Sequence, residues 1–126
     1  MTVEAYEDFV SEMYAAVWEE LALYEVSNGG TDGLGSGEVR HGPWRPDDCA
    51  AILLSWHEAG LLGLYRYTPT RDYAADLTSA EARELLSEPD GWVMFDDTTR
   101  IAALSLTEQG ASTDFAEWRR IASRPE

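Results

Sequence analysis

Lysine is absent from this chain: its nine basic residues are Arg40, Arg45, Arg66, Arg71, Arg83, Arg100, Arg119, Arg120 and Arg124. That excludes a P-loop lysine, a Schiff-base lysine and a lysine general base. Positive charge is scarce altogether, since 24 acids leave a net charge of −15 and a pI near 4.3. A polyanion gains nothing by displacing counterions from nucleic acid or from an anionic bilayer, so both are disfavoured as partners. Cysteine is reduced to Cys49, which excludes an intrachain disulfide and fits a reducing compartment. No apolar run approaches the ~20 residues of a membrane span. The first 26 residues hold seven acids and no base, the reverse of a secretory signal. A cytoplasmic protein without a membrane anchor is expected.

What is present suits one domain over residues 1–126. The chain has 126 residues and 14.0 kDa, with 44% hydrophobic and 11% aromatic side chains, a globular composition. The strongest periodicity lies in its first fifth. Val3, Tyr6, Val10, Met13, Val17, Leu21 and Tyr24 recur at three- and four-residue steps, predicting an amphipathic helix over residues 3–26. Thr2 is placed to cap it, and Asn28-Gly29-Gly30 to end it. Phe9, Tyr14 and Trp18 widen the apolar stripe on its flanks. Residues 27–45, with Gly29, Gly30, Gly33, Gly35, Gly37 and Gly42, predict a mobile loop, because few side chains are available to offset backbone ordering.

An α+β body is expected over residues 46–122. Pro46, Asp47 and Asp48 suit a helical first turn. Cys49, Ile52, Leu53 and Trp56 form that helix's inner stripe, and Gly60 suits a left-handed cap. Strands are predicted at 61–67, 92–95 and 101–106, and a short helix opens on the capping box Thr78-Ser79-Ala80-Glu81. Thr107 caps a last helix whose Ala111, Phe115, Trp118 and Ala122 share a face. The fold class is α+β: mainly helical, with a small antiparallel sheet.

The run ILLSWHEAGLLGLYRY and the later ALSLTEQG resemble a winged-helix domain, in which a helix ends at a glycine, enters a strand, and a hairpin returns to a strand closing with L-T-x-x-G. The matching positions are Leu53, Gly60, Leu61, Leu62, Leu106, Thr107 and Gly110. The resemblance covers residues 47–67 and 101–122, and implies a winged-helix scaffold with an inserted helix at 78–88. For such a family it also implies DNA binding, with 47–59 in the recognition position. That segment offers Asp47, Asp48 and Glu58 but no arginine, whereas a DNA reader needs donors for phosphates and base edges.

Several segments invite chemistry. Gly33-Leu34-Gly35-Ser36-Gly37 lacks a glycine at the sixth place of a dinucleotide fingerprint, where Glu38 stands, and reads as a linker. His41 and His57, with Asp47 and Asp48 between them, are the elements of a conceivable metal site, but neither histidine has a second ligand residue at helical i+4 spacing. Cys49 lies on an apolar stripe, where packing is the expected role. The pairs Asp47/Asp48 and Asp96/Asp97 read as solvated surface. Trp18, Trp56 and Trp118 are expected in a core or interface, and Trp44 either as a lid over the second helix or, beside Arg45, as an exposed anchor. No catalytic residue, cofactor or metal is assigned.

The resulting expectation is a non-catalytic acidic module that binds a protein, with Trp44, Arg45, Asp47, Asp48, Asp96 and Asp97 as its candidate surface. An inhibitor, an immunity protein or a nucleic-acid mimic would have this character. A homodimer is expected through Tyr6, Val10, Met13, Val17 and Leu21, because so long an apolar face is hard to cover within one small domain. The alternatives are a winged-helix transcription regulator binding DNA as a dimer and, third, a small-molecule binder or enzyme of unknown reaction.

Overall fold

A computed structural model describes residues 2–32, 39–66, 77–92 and 102–122. Within them the chain is α+β, as expected. Helix α1 (Val3–Trp18) starts where Thr2 accepts a hydrogen bond from the Ala5 amide at 3.1 Å. It buries Phe9, Val10, Met13, Ala16 and Val17.

The helix predicted to continue to residue 26 stops at Trp18. Glu20 takes a positive φ of 54°, and the chain runs along the open edge of a strand before α2 (Leu23–Asn28) begins. The reason lies in that edge. β3 (Leu62–Arg66) and β4 (Ala102–Leu106) pair antiparallel, from Leu62 opposite Leu106 to Arg66 opposite Ala102. On the far side of β4 the Leu104 amide donates to Leu21 O at 3.0 Å, the Leu106 amide donates to Glu20 Oε2 at 3.0 Å, and Ala22 bridges Ala103. Backbone donors that would otherwise lack partners are satisfied by a stretch whose side-chain spacing looks helical.

The segment expected to be an unstructured loop also differs. β1 (Gly30–Asp32) and β2 (Val39–His41) pair antiparallel, with Gly30 opposite His41. Residues 33–38, which carry the Gly-Leu-Gly-Ser-Gly run, lie outside the described residues. Gly29, at φ +76°, permits the return: a Cβ there would stand 2.0 Å from His41 O.

α3 (Pro46–Glu58) forms as predicted and buries Cys49, Ile52, Leu53 and Trp56. Gly60, at φ +82°, turns the chain into β3. The junction with the last strand is tightly tied. Thr107 Oγ1 donates to Gly60 O at 2.7 Å and accepts from the Gly110 amide at 2.9 Å, capping α5 (Glu108–Ala111). Gly110 sits so close to β3 that a Cβ would meet Leu61 O at 2.0 Å. Trp56 Nε1 donates to Trp118 O at 2.9 Å, and the two indoles meet edge-on at 4.9 Å between centroids.

The predicted last helix is two helices, since α6 (Phe115–Ile121) starts anew where the Asp114 carboxylate accepts from the Glu117 amide. A side chain that can cap its own backbone competes with an unbroken helix at this point. α4 (Ser79–Ser87) has both halves of its predicted capping box and packs along α3. Trp92, predicted to open a strand, instead ends a 3₁₀ turn over Pro89–Trp92, with its indole N–H on Leu86 O at 3.1 Å. The rest of that predicted strand and the turn carrying Asp96 and Asp97 lie outside the described residues.

Candidate functional site

The arginines are the first test of what the surface can bind. Among those with described side chains, Arg119 Nε lies 2.9 Å from both Glu7 oxygens, Arg120 pairs with Glu117, and Arg83 meets Glu58 at 2.8 Å. Arg45 stands 3.8 Å from Asp47, both largely in solvent. The hydrogen bonds from Arg119 and Arg120 hold the Glu7 and Glu117 carboxyls below the ordinary carboxylate value. Every described guanidinium therefore already faces a carboxylate, while Glu4, Glu19, Glu20, Glu84, Glu88 and Glu108 are further exposed acids.

α3, which the winged-helix resemblance would put in the recognition position, packs α4 on one side and keeps Asp47, Ala51, Ser55 and Glu58 exposed on another. α4 lies along α3, with Arg83 reaching Glu58. Between the two helices Asp47, Ala50, Ala51, Leu54, Leu86 and Ser87 line only a shallow recess of about 300 Å³.

The sequence-predicted surface is only partly assembled. Arg45 and Asp47 are exposed and Asp48 is half-exposed at the start of α3. Trp44 lies half-buried with its ring edge-on to Phe9 of α1 at 5.1 Å, packing against the core cluster.

The residues predicted as a dimer face turn toward the protomer's own core. Val10, Met13 and Val17 are at most 1% exposed inside the protomer, and Tyr6 and Leu21 pack half-buried against the same core. A helix of 16 residues is about 24 Å long, short enough to be covered by α3, β2 and β4. Trp18, expected in a core or an interface, is 45% exposed and so is not part of the core. It leans on Tyr14, which also contacts Phe115, itself 37% exposed. Its position on the flank of the seven-residue stripe was the available signal.

Cys49 is fully buried, and burial pushes its thiol up to about 12, so at neutral pH it is a packed, protonated core group. His57 and Asp47 do not form a site: ten residues apart on one helix, they are about 15 Å apart along its axis. His57 Nε2 lies 3.2 Å from Leu77 O.

His41 goes elsewhere. β2 carries it against α1, where its Nδ1 stands 2.9 Å from Asp8 Oδ2 and 3.6 Å from Glu12 Oε1. These three are the one group of potential metal ligands among the described residues. Neither histidine has a ligand residue at i+4 in the sequence, whereas the i,i+4 pair here is the two carboxylates. The histidine arrives through a strand pairing that composition conceals.

Comparisons with protein-family models, with characterised proteins and with solved structures give no match to this chain. Among the described residues no helix is long and apolar enough to cross a membrane.

Proposed function

We propose that this chain is a non-catalytic acidic interaction module, built on a winged-helix-like scaffold with an inserted helix, that binds a basic protein in the cytoplasm. The paired arginines carry this reading: each described guanidinium lies within 4 Å of a carboxylate, while Glu4, Glu19, Glu84, Glu88 and Glu108 stand exposed. The exposed stripe of α3 supports it, because Asp47, Ala51, Ser55 and Glu58 offer no arginine to phosphates or base edges. The scaffold half of the reading rests on the run from α3 through Gly60 to β3, and on β4 closing through Thr107 onto Gly110. A surface of this charge accelerates encounter with a cationic partner and selects among partners, and its binding weakens as salt screens the field. For association with a second copy, the exposed Trp18 and Phe115, joined through half-buried Tyr14, offer an apolar surface in place of the buried stripe.

The test is affinity capture by the full chain at low and high salt, with a duplex-binding assay beside it. Basic proteins that bind at low salt and elute as salt rises are expected. Retention indifferent to salt, or binding to duplex DNA at moderate salt, refutes the proposal and favours the regulator.

A further inference from the structure

The geometry points to a binding site for a first-row divalent transition-metal ion, of which Zn²⁺ is the natural probe, formed by Asp8, Glu12 and His41. Asp8 and Glu12 lie one turn apart on α1, and so present their carboxylates on the same face. His41 closes the set from β2, and the three donor atoms all lie within 4.8 Å of one another. Two donors bound to one ion at about 2.1 Å stand about 3.0 Å apart at a right angle and about 3.4 Å apart at a tetrahedral angle. The separations of His41 Nδ1 from Asp8 Oδ2 and Glu12 Oε1, 2.9 and 3.6 Å, bracket that range. An imidazole nitrogen with two carboxylates is a borderline donor set, which favours Zn²⁺, Co²⁺ or Ni²⁺ over an all-oxygen ion such as Mg²⁺.

The histidine is held from several sides. Gly29 packs against its carbonyl, the Trp44 amide donates to Ser27 O at 2.8 Å, and the Trp44 ring rests on Phe9 of the same helix that carries both acids. His41 is 16% exposed and Asp8 42%, so the donor nitrogen is sheltered while the open side faces water, which would complete the coordination. Binding puts the ion where Nδ1 and Asp8 now share a hydrogen bond, and any proton on Nδ1 leaves to solvent. The inference is independent of the proposed partner.

Calorimetric titration of the full chain with ZnCl₂, in excess Mg²⁺ to occupy diffuse acidic sites, tests it, with NMR of the His41 imidazole as the second readout. One equivalent is expected to bind and shift the His41 ring resonances. His41→Ala and Glu12→Gln should each weaken binding at least about tenfold, and Glu4→Gln should leave it unchanged. Asp8→Asn alters a group with substantial exposure, and so separates ligand loss from loss of fold, checked by circular dichroism. Absence of Zn²⁺ uptake, uptake that survives His41→Ala, or an equal loss in Glu4→Gln overturns the site.

Discussion

Two regions hold this molecule together by different physics. At the junction of α3, β3, α5 and α6, Trp56 and Trp118 interlock, Gly110 lies against the Leu61 carbonyl, and Thr107 joins Gly60 to the start of α5. Its groups are neutral, its indoles are fully buried, and its side-chain donors reach backbone carbonyls. Along the outer edge of α1 the ties instead run through carboxylates and are half-open: Glu7 to Arg119, and Asp8 and Glu12 to His41. The first region depends on fit, which tolerates no added atom and is indifferent to salt. The second depends on charge, and solvent and pH control it.

The sharpest way to break the contrast is Gly110→Ala. The new Cβ would stand 2.0 Å from Leu61 O and 2.9 Å from Trp118 Cζ2, so strand and helix must part. A loss of about 3 kcal/mol or more is expected in urea unfolding, equal at low and high salt. A loss below 1 kcal/mol would show that the junction yields easily and is not the rigid half. Thr107→Val comes next. It removes a cap and leaves the Gly60 carbonyl and the Gly110 amide without that hydroxyl, for an expected cost of about 1–2 kcal/mol in the same assay.

This contrast also explains what could be read from the sequence. The neutral junction was legible because its devices are local: a glycine at a helix end, a threonine three residues before a glycine, and tryptophans on apolar stripes. The same holds for the α4 capping box and the inner face of α3. The charged edge was not legible, because His41 reaches Asp8 only through pairing of β1 with β2 across a glycine-rich segment whose composition suggests no order. The break in the first helix escaped for a related reason. Leu21 and Tyr24 keep a helical interval, while the cause of the break is the hydrogen-bonding need of β4, about eighty residues further along the chain. Local signals identify what a segment can do, and distant partners decide between options of similar energy. For the same reason the apolar stripe of α1 was readable as a stripe but not as a core face. Its cover comes from β2, α3 and β4, whose placement no periodicity in α1 reports.

The smallest effect, and the one that sharpens the comparison most, is expected from Arg119→Met. Arg119 is bidentate to Glu7 and lies over the Tyr6 ring at 5.3 Å, so methionine keeps much of the packing and removes the charge. At neutral pH and physiological salt the stability loss should be smaller than that of Thr107→Val, because water and salt screen this exposed pair. Acid should reveal the difference. The guanidinium holds the Glu7 carboxyl below its ordinary value of 4.5 in the folded chain, and Arg120 does the same for Glu117. A depressed folded-state carboxyl stabilises fully above its unfolded value, and that stabilisation is lost as pH falls through the folded value. Wild-type stability should therefore drop on acidification below about pH 4.5, and the Arg119→Met variant, with one fewer depressed carboxyl, should drop less steeply. Urea unfolding followed from pH 7 to pH 3 measures both slopes. Superimposable acid limbs would mean that the Glu7–Arg119 contact contributes nothing in solution, and with it would go the claim that the two halves of the molecule answer to different conditions.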